Sequence, residues 1–364
     1  MTIRDICAEF NIDGKYVSCQ ELTTGNINNT YQVKFIREGQ EKKYIIQRIN
    51  KNVFKQPENV MENIVKVTHH IRYKIIEQEL STRKFVMRAF YSKNSNQPFV
   101  IDDVGEYWRC YRFIENSTTY DSVDDLNIIE RAGTAFGKFQ NYLSDFDVKE
   151  LYQTIPNFHN TKIRYKVFHE TIEKDTCKRV GKVKLEIEKL CEFEKEAVKL
   201  QEYLDSGKIP FRVAHNDTKC NNVSFDKTTG EALAVLDLDT VMPGAIAHDF
   251  GDAIRFIANT CLEDDPDVES VALNLEKYEA FTKGFVSELK STLTDLEKST
   301  LNLGLFAMTV ELAVRFLTDY LNGDKYFKTK YPGHNLDRAR NQIALAMDIK
   351  NKTEQLEDII KKYL

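Results

Sequence analysis

The chain reads as an α+β protein with a smaller, β-rich N-terminal part and a larger, mainly helical C-terminal part. Three observations carry that reading: period-two alternation confined to the first third, a long series of helical apolar stripes after residue 125, and apolar strands interrupting those helices near 213 and 235. With 364 residues and 42% hydrophobic side chains there is enough apolar material for two cores.

In order, Tyr16-Val17, the alternating run Tyr31 to Ile36, a turn at Arg37-Glu38-Gly39-Gln40 and Lys43 to Ile49 predict a β-meander. Residues 58–80 place Val60, Ile64, Ile71 and Ile75 on one helical stripe that can cover the sheet. Phe85 to Met87, Phe99 to Ile101 and Tyr107 to Phe113 predict further strands, and the polar stretch 111–125 predicts the connection between the two parts. The expected division is therefore residues 1–115 and 116–364. Helices are predicted at about 125–143, 160–175, 183–205, 248–259, 268–289, 296–322 and 335–361.

A net charge of −5 gives no electrostatic reason to expect nucleic acid, which leaves a small-molecule partner. Met1 to Cys7 does not form a basic-then-apolar leader, and no run approaches eighteen consecutive apolar residues, so neither secretion nor membrane spanning is expected. Seven scattered cysteines without a Cys-x-x-Cys pair read as reduced thiols of a cytoplasmic protein. The oligomeric state is left open, with a monomer sufficient.

The densest chemical signal is His215-Asn216-Asp217-Thr218-Lys219-Cys220-Asn221-Asn222, followed by Asp237-Leu238-Asp239. Phosphoryl transfer from ATP to a hydroxyl needs a carboxylate to orient that hydroxyl and oxygen ligands to hold Mg²⁺ against the phosphates. Asp217 supplies the first, and Asn222 and Asp237 the second. Val213-Ala214 ends a strand, 215–221 forms a loop, Asn222 to Phe225 starts the next strand, and Asp226 to Glu231 turns the chain into the apolar return strand Ala232 to Leu236. If that strand runs on, Asp237 and Asp239 face the same way. His-x-Asp alone is a common turn, and Asp-x-Asp alone a common strand exit; the ordered combination is what singles out this segment.

At these residues the sequence resembles the aminoglycoside phosphotransferase and choline kinase superfamily, relatives of the protein kinases. Val235 to Gly244, Asp249 to Arg255, Tyr107-Trp108-Arg109 with Phe113-Ile114-Glu115, Asn157 to Thr161, Arg315 to Asp324 and Asn335 to Arg340 are similar to the bacterial N-acetylhexosamine 1-kinases, in blocks running from about residue 22 to 350. The resemblance implies a bilobal protein-kinase-like fold with a nucleotide-binding first lobe. It also implies an ATP- and Mg²⁺-dependent transfer to the anomeric hydroxyl of N-acetylglucosamine or N-acetylgalactosamine. A kinase of the same fold for another hexose, an aminoglycoside or choline, and an inactive nucleotide-binding module, stay open as alternatives.

Further site expectations follow. Leu22 to Tyr31 lies between two strands, where Gly25, Asn26 and Asn28 could meet nucleotide phosphates or simply form a hairpin turn. Kinases place a Lys on the third strand; the matching position is Gln47. Gln47 bonds the phosphates as a neutral donor, or the adjacent Arg48 is re-aimed by a bulge, or another cation takes over, with Glu62 as its helix partner or merely a solvated residue. His215 is expected to bond loop carbonyls, Asp239 to act from behind Asp237, and Asp249 and Asp252 to cap the following helix and brace the loop. Glu311, Arg315 and Asp319 share one stripe of an apolar helix, where charges must be paired or face a polar cleft. Arg315 with Phe256 and Tyr326 is assigned to the sugar pocket from the resemblance, with His159 as a further contact or a structural histidine.

Overall fold

A computed structural model describes residues 1–22, 27–81 and 85–364. The chain forms two compact units: residues 1–119, 145–156 and 223–243 make the first, and residues 120–144, 157–222 and 244–364 the second. The single cut expected at 115/116 differs from this, because two later segments, 145–156 and 223–243, return to the first unit.

In the first unit α1 (Ile3–Glu9) opens with a capping box in which Thr2 and Asp5 exchange hydrogen bonds. β1 (Lys15–Leu22), β2 (Asn29–Arg37) and β3 (Gln40–Arg48) form the expected meander, followed by α2 (Pro57–Glu77), β4 (Val100–Ile101) and β5 (Tyr107–Arg112). The strands are ordered β1-β2-β3-β5-β4, antiparallel at each pairing. Alternation puts Val33, Phe35, Tyr44, Ile46, Trp108 and Cys110 into one core with Ile6 of α1 and Phe10 just after it. The strand expected at Phe85 to Met87 is absent: this stretch is irregular, and Ala89 makes an isolated bridge to Tyr111. β6 (Ser117–Thr118) lies within the polar connection.

The second unit is helical: α3 (Leu126–Tyr142), α4 (Thr161–Lys174), α5 (Lys184–Ala197) and α6 (Lys199–Asp205) precede β7 (Arg212–Ala214). The chain then passes to β8 (Val223–Asp226) and β9 (Ala232–Val235), which complete a small sheet ordered β6-β8-β9 in the first unit. α7 (Ile246–Ile257), α8 (Leu275–Leu289), α9 (Asp295–Ser299), α10 (Leu301–Leu321), α11 (His334–Asn351) and α12 (Thr353–Tyr363) follow in the second. Three helices expected as continuous are broken, at Val198, Thr300 and Lys352, and the helix expected from 268 starts at Leu275 behind the Asn274 cap.

α10 is the axis of this unit, packing on α4, α5, α7 and α11. By length and composition it could cross a membrane, which no consecutive-residue count suggested, yet 78% of its apolar window is buried inside the protein. Gly251 of α7 meets Gly304 of α10 backbone to backbone; a Cβ on Gly251 would sit 2.4 Å from the Gly304 carbonyl oxygen, and one on Gly304 2.1 Å from that of Ala247.

Candidate active site

The loop after β7 is pinned from below by two acids of α7. Asp249 accepts from the backbone N–H groups of His215 and Asn216, at 2.8 Å each, and from the Gln140 amide. Asp252 accepts from the Thr218 N–H at 3.1 Å, and the Thr218 hydroxyl donates to the Asp249 carbonyl at 2.6 Å. Bracing the loop is thus the work of both acids, whereas the capping role expected for them is not found: the α7 N-cap is Ala245, with no side-chain cap. Burial raises the pKa of Asp249, against the lowering effect of His215 and of its three hydrogen-bond donors. Asp252 is buried too, but Arg255 and Lys219 hold its carboxyl below the usual range.

This bracing lets the loop take an otherwise costly backbone, with Asn216 at φ 63°. His215 is fully buried, its ring edge-on to Phe136 and Phe139. Its Nδ1 accepts from the Asp217 N–H at 3.3 Å, which helps to order the loop.

Asp217 is half-buried. Its Oδ1 takes the Lys219 ammonium at 2.8 Å, and its Oδ2 and backbone carbonyl take the Asn222 amide at 3.2 and 2.8 Å. Asn222 therefore spends its N–H₂ on Asp217, which leaves its Oδ1 as the oxygen it can offer a cation. Lys219 was passed over in the sequence, although it stands two residues from Asp217; burial lowers its pKa, but Asp217 and Asp252 outweigh this and raise it, so it stays charged.

In the first unit the two acids after β9 have opposite surroundings. β9 ends at Val235, Asp237 takes a left-handed φ of 54°, and residues 238–240 form a 3-10 turn, so the strand does not run on to Asp239 as one alternative had it. The Asp237 side chain is exposed, and Asp239 is buried. Asp239 Oδ1 is ion-paired with Arg109 of β5, and its Oδ2 accepts from Asn28 Nδ2 at 2.7 Å. Arg109 is 1% exposed; burial opposes its charge, and Asp239 overrides this to keep the guanidinium protonated.

The third-strand question resolves here. Gln47 and Arg109 are register partners, and Arg109 Nε donates to Gln47 Oε1 at 2.9 Å, while Gln47 Nε2 donates to the Thr30 hydroxyl at 3.0 Å. Arg48 points to the opposite face and bonds Asn29 Oδ1 at 2.7 Å; β3 pairs on both sides without a bulge, so Arg48 is not re-aimed. The buried cation beside Gln47 is Arg109, supplied by the neighbouring strand. Glu62 partners neither: it pairs with Lys66 at 2.9 Å on the exposed side of α2. Its neighbour Asn63 is the buried one, bonding the Tyr152 and Val241 carbonyls at 2.8 and 2.9 Å. Asn28 also accepts from the Asn50 N–H at 3.0 Å, and Gly25 and Asn26 lie outside the described residues.

The expected sugar residues separate. Arg315 and Tyr326 line one cavity of about 140 Å³ in the second unit, with Arg164, Asp319 and Phe327. Phe256 lines a different one, beside Asp121, Cys220 and Lys277, because it leaves α7 on another side. His159 is buried with both ring nitrogens engaged, by Glu311 Oε1 at 3.0 Å and the Asn216 carbonyl at 3.1 Å, so it links the loop to α10 instead of reaching substrate. Glu311 is the fully buried hub, with Arg315 at 3.7 Å and Arg164 at 4.0 Å. Burial alone would raise its pKa; His159 and the two guanidiniums bring it down to about 2. The guanidinium of Arg315 lies over the rings of Phe158 and Phe327, at 5.5 and 5.6 Å.

Over 97% of both chains the fold is similar to that of a spectinomycin phosphotransferase solved with ADP and spectinomycin, at TM-score 0.58 and 14% identity. An ethanolamine kinase of Plasmodium vivax gives 0.54 at 15% identity over 89% of this chain and 81% of its own. A choline kinase of Cryptosporidium parvum gives 0.51 at 15% over 96% and 92%. Residues 18–285 match the family model described as the APH phosphotransferase enzyme family. The chain belongs to that family of phosphotransferases and has its kinase-like α+β fold.

Proposed function

We propose that the protein is an ATP-dependent kinase whose acceptor is a neutral sugar, with the anomeric hydroxyl of an N-acetylhexosamine as the first choice. The observation that carries the acceptor class is the charge of the cavity at Arg315. Arg164 and Arg315 both line it, and Arg315 adds to burial in lowering the Arg164 pKa. Its one lining carboxylate, Asp319, is already taken by the backbone N–H groups of Lys325, Tyr326 and Phe327 and by the Asn335 amide. A cationic acceptor such as choline or an aminoglycoside would find no carboxylate free to receive it, because Glu311 lies fully buried against the two guanidiniums and Asp319 is held by its backbone donors. A neutral sugar offers carbonyl and hydroxyl oxygens to the guanidiniums and a ring face to Tyr326 and Phe327. The sugar resemblance at Arg315 to Asp324 supports the same choice.

In this reading Asp217 accepts the hydrogen bond of the attacking hydroxyl and fixes its direction, acting by orientation because the transition state is loose. The bond from the γ-phosphorus to the β,γ-bridging oxygen breaks, a bond to the sugar oxygen forms, and the hydroxyl proton leaves through Asp217. Lys219 keeps the Asp217 carboxylate in place. Asn222 and Asp237 are the proposed oxygen donors for Mg²⁺, which when bound would offset phosphate charge. Arg109 with Gln47 is the proposed replacement for the third-strand lysine.

The test is ADP release with N-acetylglucosamine, N-acetylgalactosamine, galactose, choline and kanamycin as separate acceptors, followed by phosphorus NMR of the product. An anomeric phosphate from a sugar is expected, together with loss of turnover but not of ATP binding in Asp217→Asn. Phosphocholine or phosphorylated kanamycin as the main product would overturn the acceptor assignment.

A further inference from the structure

A cavity of about 320 Å³ lies in the first unit and is lined by none of the residues assigned to catalysis, nucleotide or acceptor. It is bounded by the 65–72 stripe of α2, the irregular stretch 86–91, and Tyr44 and Arg112 of the sheet. Four guanidiniums line it, from Arg37, Arg72, Arg88 and Arg112, together with His69. The one carboxylate among the lining residues, Asp13, is paired with Arg37 at 3.1 Å. Among the described residues neither Arg72 nor Arg88 has an ion pair or a side-chain hydrogen bond; Arg88 only lies over the Phe90 ring at 5.6 Å.

Tyr44 adds a second, independent sign. It is 7% exposed, wedged edge-on between Phe35 and Phe90, and lines the cavity with a hydroxyl that has no hydrogen-bond partner among the described residues. Burial pushes its pKa up, so the group remains a donor at neutral pH. A phenol donor on the wall of a cavity lined by guanidiniums is placed to bond an anion that enters it. Like charges lining one cavity also repel, and an anion relieves that repulsion.

We propose that this cavity is a binding site for a small, multiply charged phosphate compound, held by Arg72, Arg88 and the Tyr44 hydroxyl. Guanidiniums bind phosphate oxygens in pairs, and the volume suits a compact ligand such as a phosphorylated metabolite rather than a polymer.

Inorganic pyrophosphate is the probe, titrated calorimetrically into the full-length protein at about 0.15 M salt, near physiological ionic strength. Four proteins are compared: wild type, the double variant Arg72→Ser/Arg88→Ser, Tyr44→Phe, and Asp237→Asn as a control on the phosphate-transfer residues. Expected are one saturable site in wild type, the same site in Asp237→Asn, and affinity weakened by roughly tenfold or more for each guanidinium removed. Tyr44→Phe should weaken it about fivefold without altering the fold, since only the hydroxyl is lost. Equal binding by wild type and the double variant would put pyrophosphate elsewhere and overturn the proposal. So would the absence of saturable binding by wild type, or a response that sulfate at equal ionic strength reproduces.

Discussion

Glu311→Gln is the perturbation that most directly weighs the link between the acceptor cavity and the catalytic loop. Glu311 is fully buried, and its partners are His159, Thr161, Arg315 and Arg164. Depression of its pKa from 4.5 to about 2 corresponds to about 3 kcal/mol of preference for the charged form. The amide keeps the shape and one acceptor oxygen for His159, but it leaves Arg164 and Arg315 facing each other without a counterion. A loss of about 3 kcal/mol is expected, the lower end of what breaking a buried pair costs. Urea unfolding followed by a probe in the helical unit reads it. Because the folded pKa lies below the unfolded one, the stabilisation is complete above pH 4.5 and disappears as pH falls from 4.5 towards 2. The wild-type advantage should therefore be flat near neutrality and close over that acid window. Turnover should fall about tenfold, since His159 carries the Asn216 carbonyl. A neutral-pH difference under about 0.5 kcal/mol, the range of ordinary surface substitutions, would refute the account of Glu311 as the electrostatic hub.

Arg109→Met should destabilise the β-rich unit by about 3–5 kcal/mol by stranding the buried Asp239, visible as a lowered unfolding midpoint, whereas Arg109→Lys should fold and show a raised KM for ATP. Asp249→Asn puts a donor against the His215 or Asn216 N–H and should cost about 1–3 kcal/mol, with kcat falling and both KM values little changed. Arg315→Ala should raise the sugar KM at least about tenfold while leaving that for ATP alone, and should improve any trace activity on choline; steady-state kinetics with both acceptors would check this.

Local rules made much of the architecture legible. Alternation marked β2 and β3 to within three residues, and Asn160 and Asp125, caps with their own hydrogen bonds, stand at the starts of α4 and α3 where the helical pattern begins. What local pattern could not supply was register and rotation. Arg109 is invisible as the cation beside Gln47 until β3 and β5 are aligned, sixty-two residues apart in sequence. Phe256 and Arg315 were grouped although their helices turn them into different cavities. Where the return strand ends is a matter the apolar run Ala232 to Leu236 leaves open, and only the left-handed backbone at Asp237 sends one acid outward and the other in.

The glycine contact between α7 and α10 has an evolutionary consequence. Any side chain at Gly251 or Gly304 would force apart the helix that braces the loop and the helix that carries Glu311 and Arg315. Arg315 lies eleven residues beyond Gly304, about 16 Å along the axis. One end of α10 is thereby frozen against α7, so a change of acceptor preference is confined to the stretch beyond it, where Arg315 stands and where Glu311 and His159 carry any shift back to the loop.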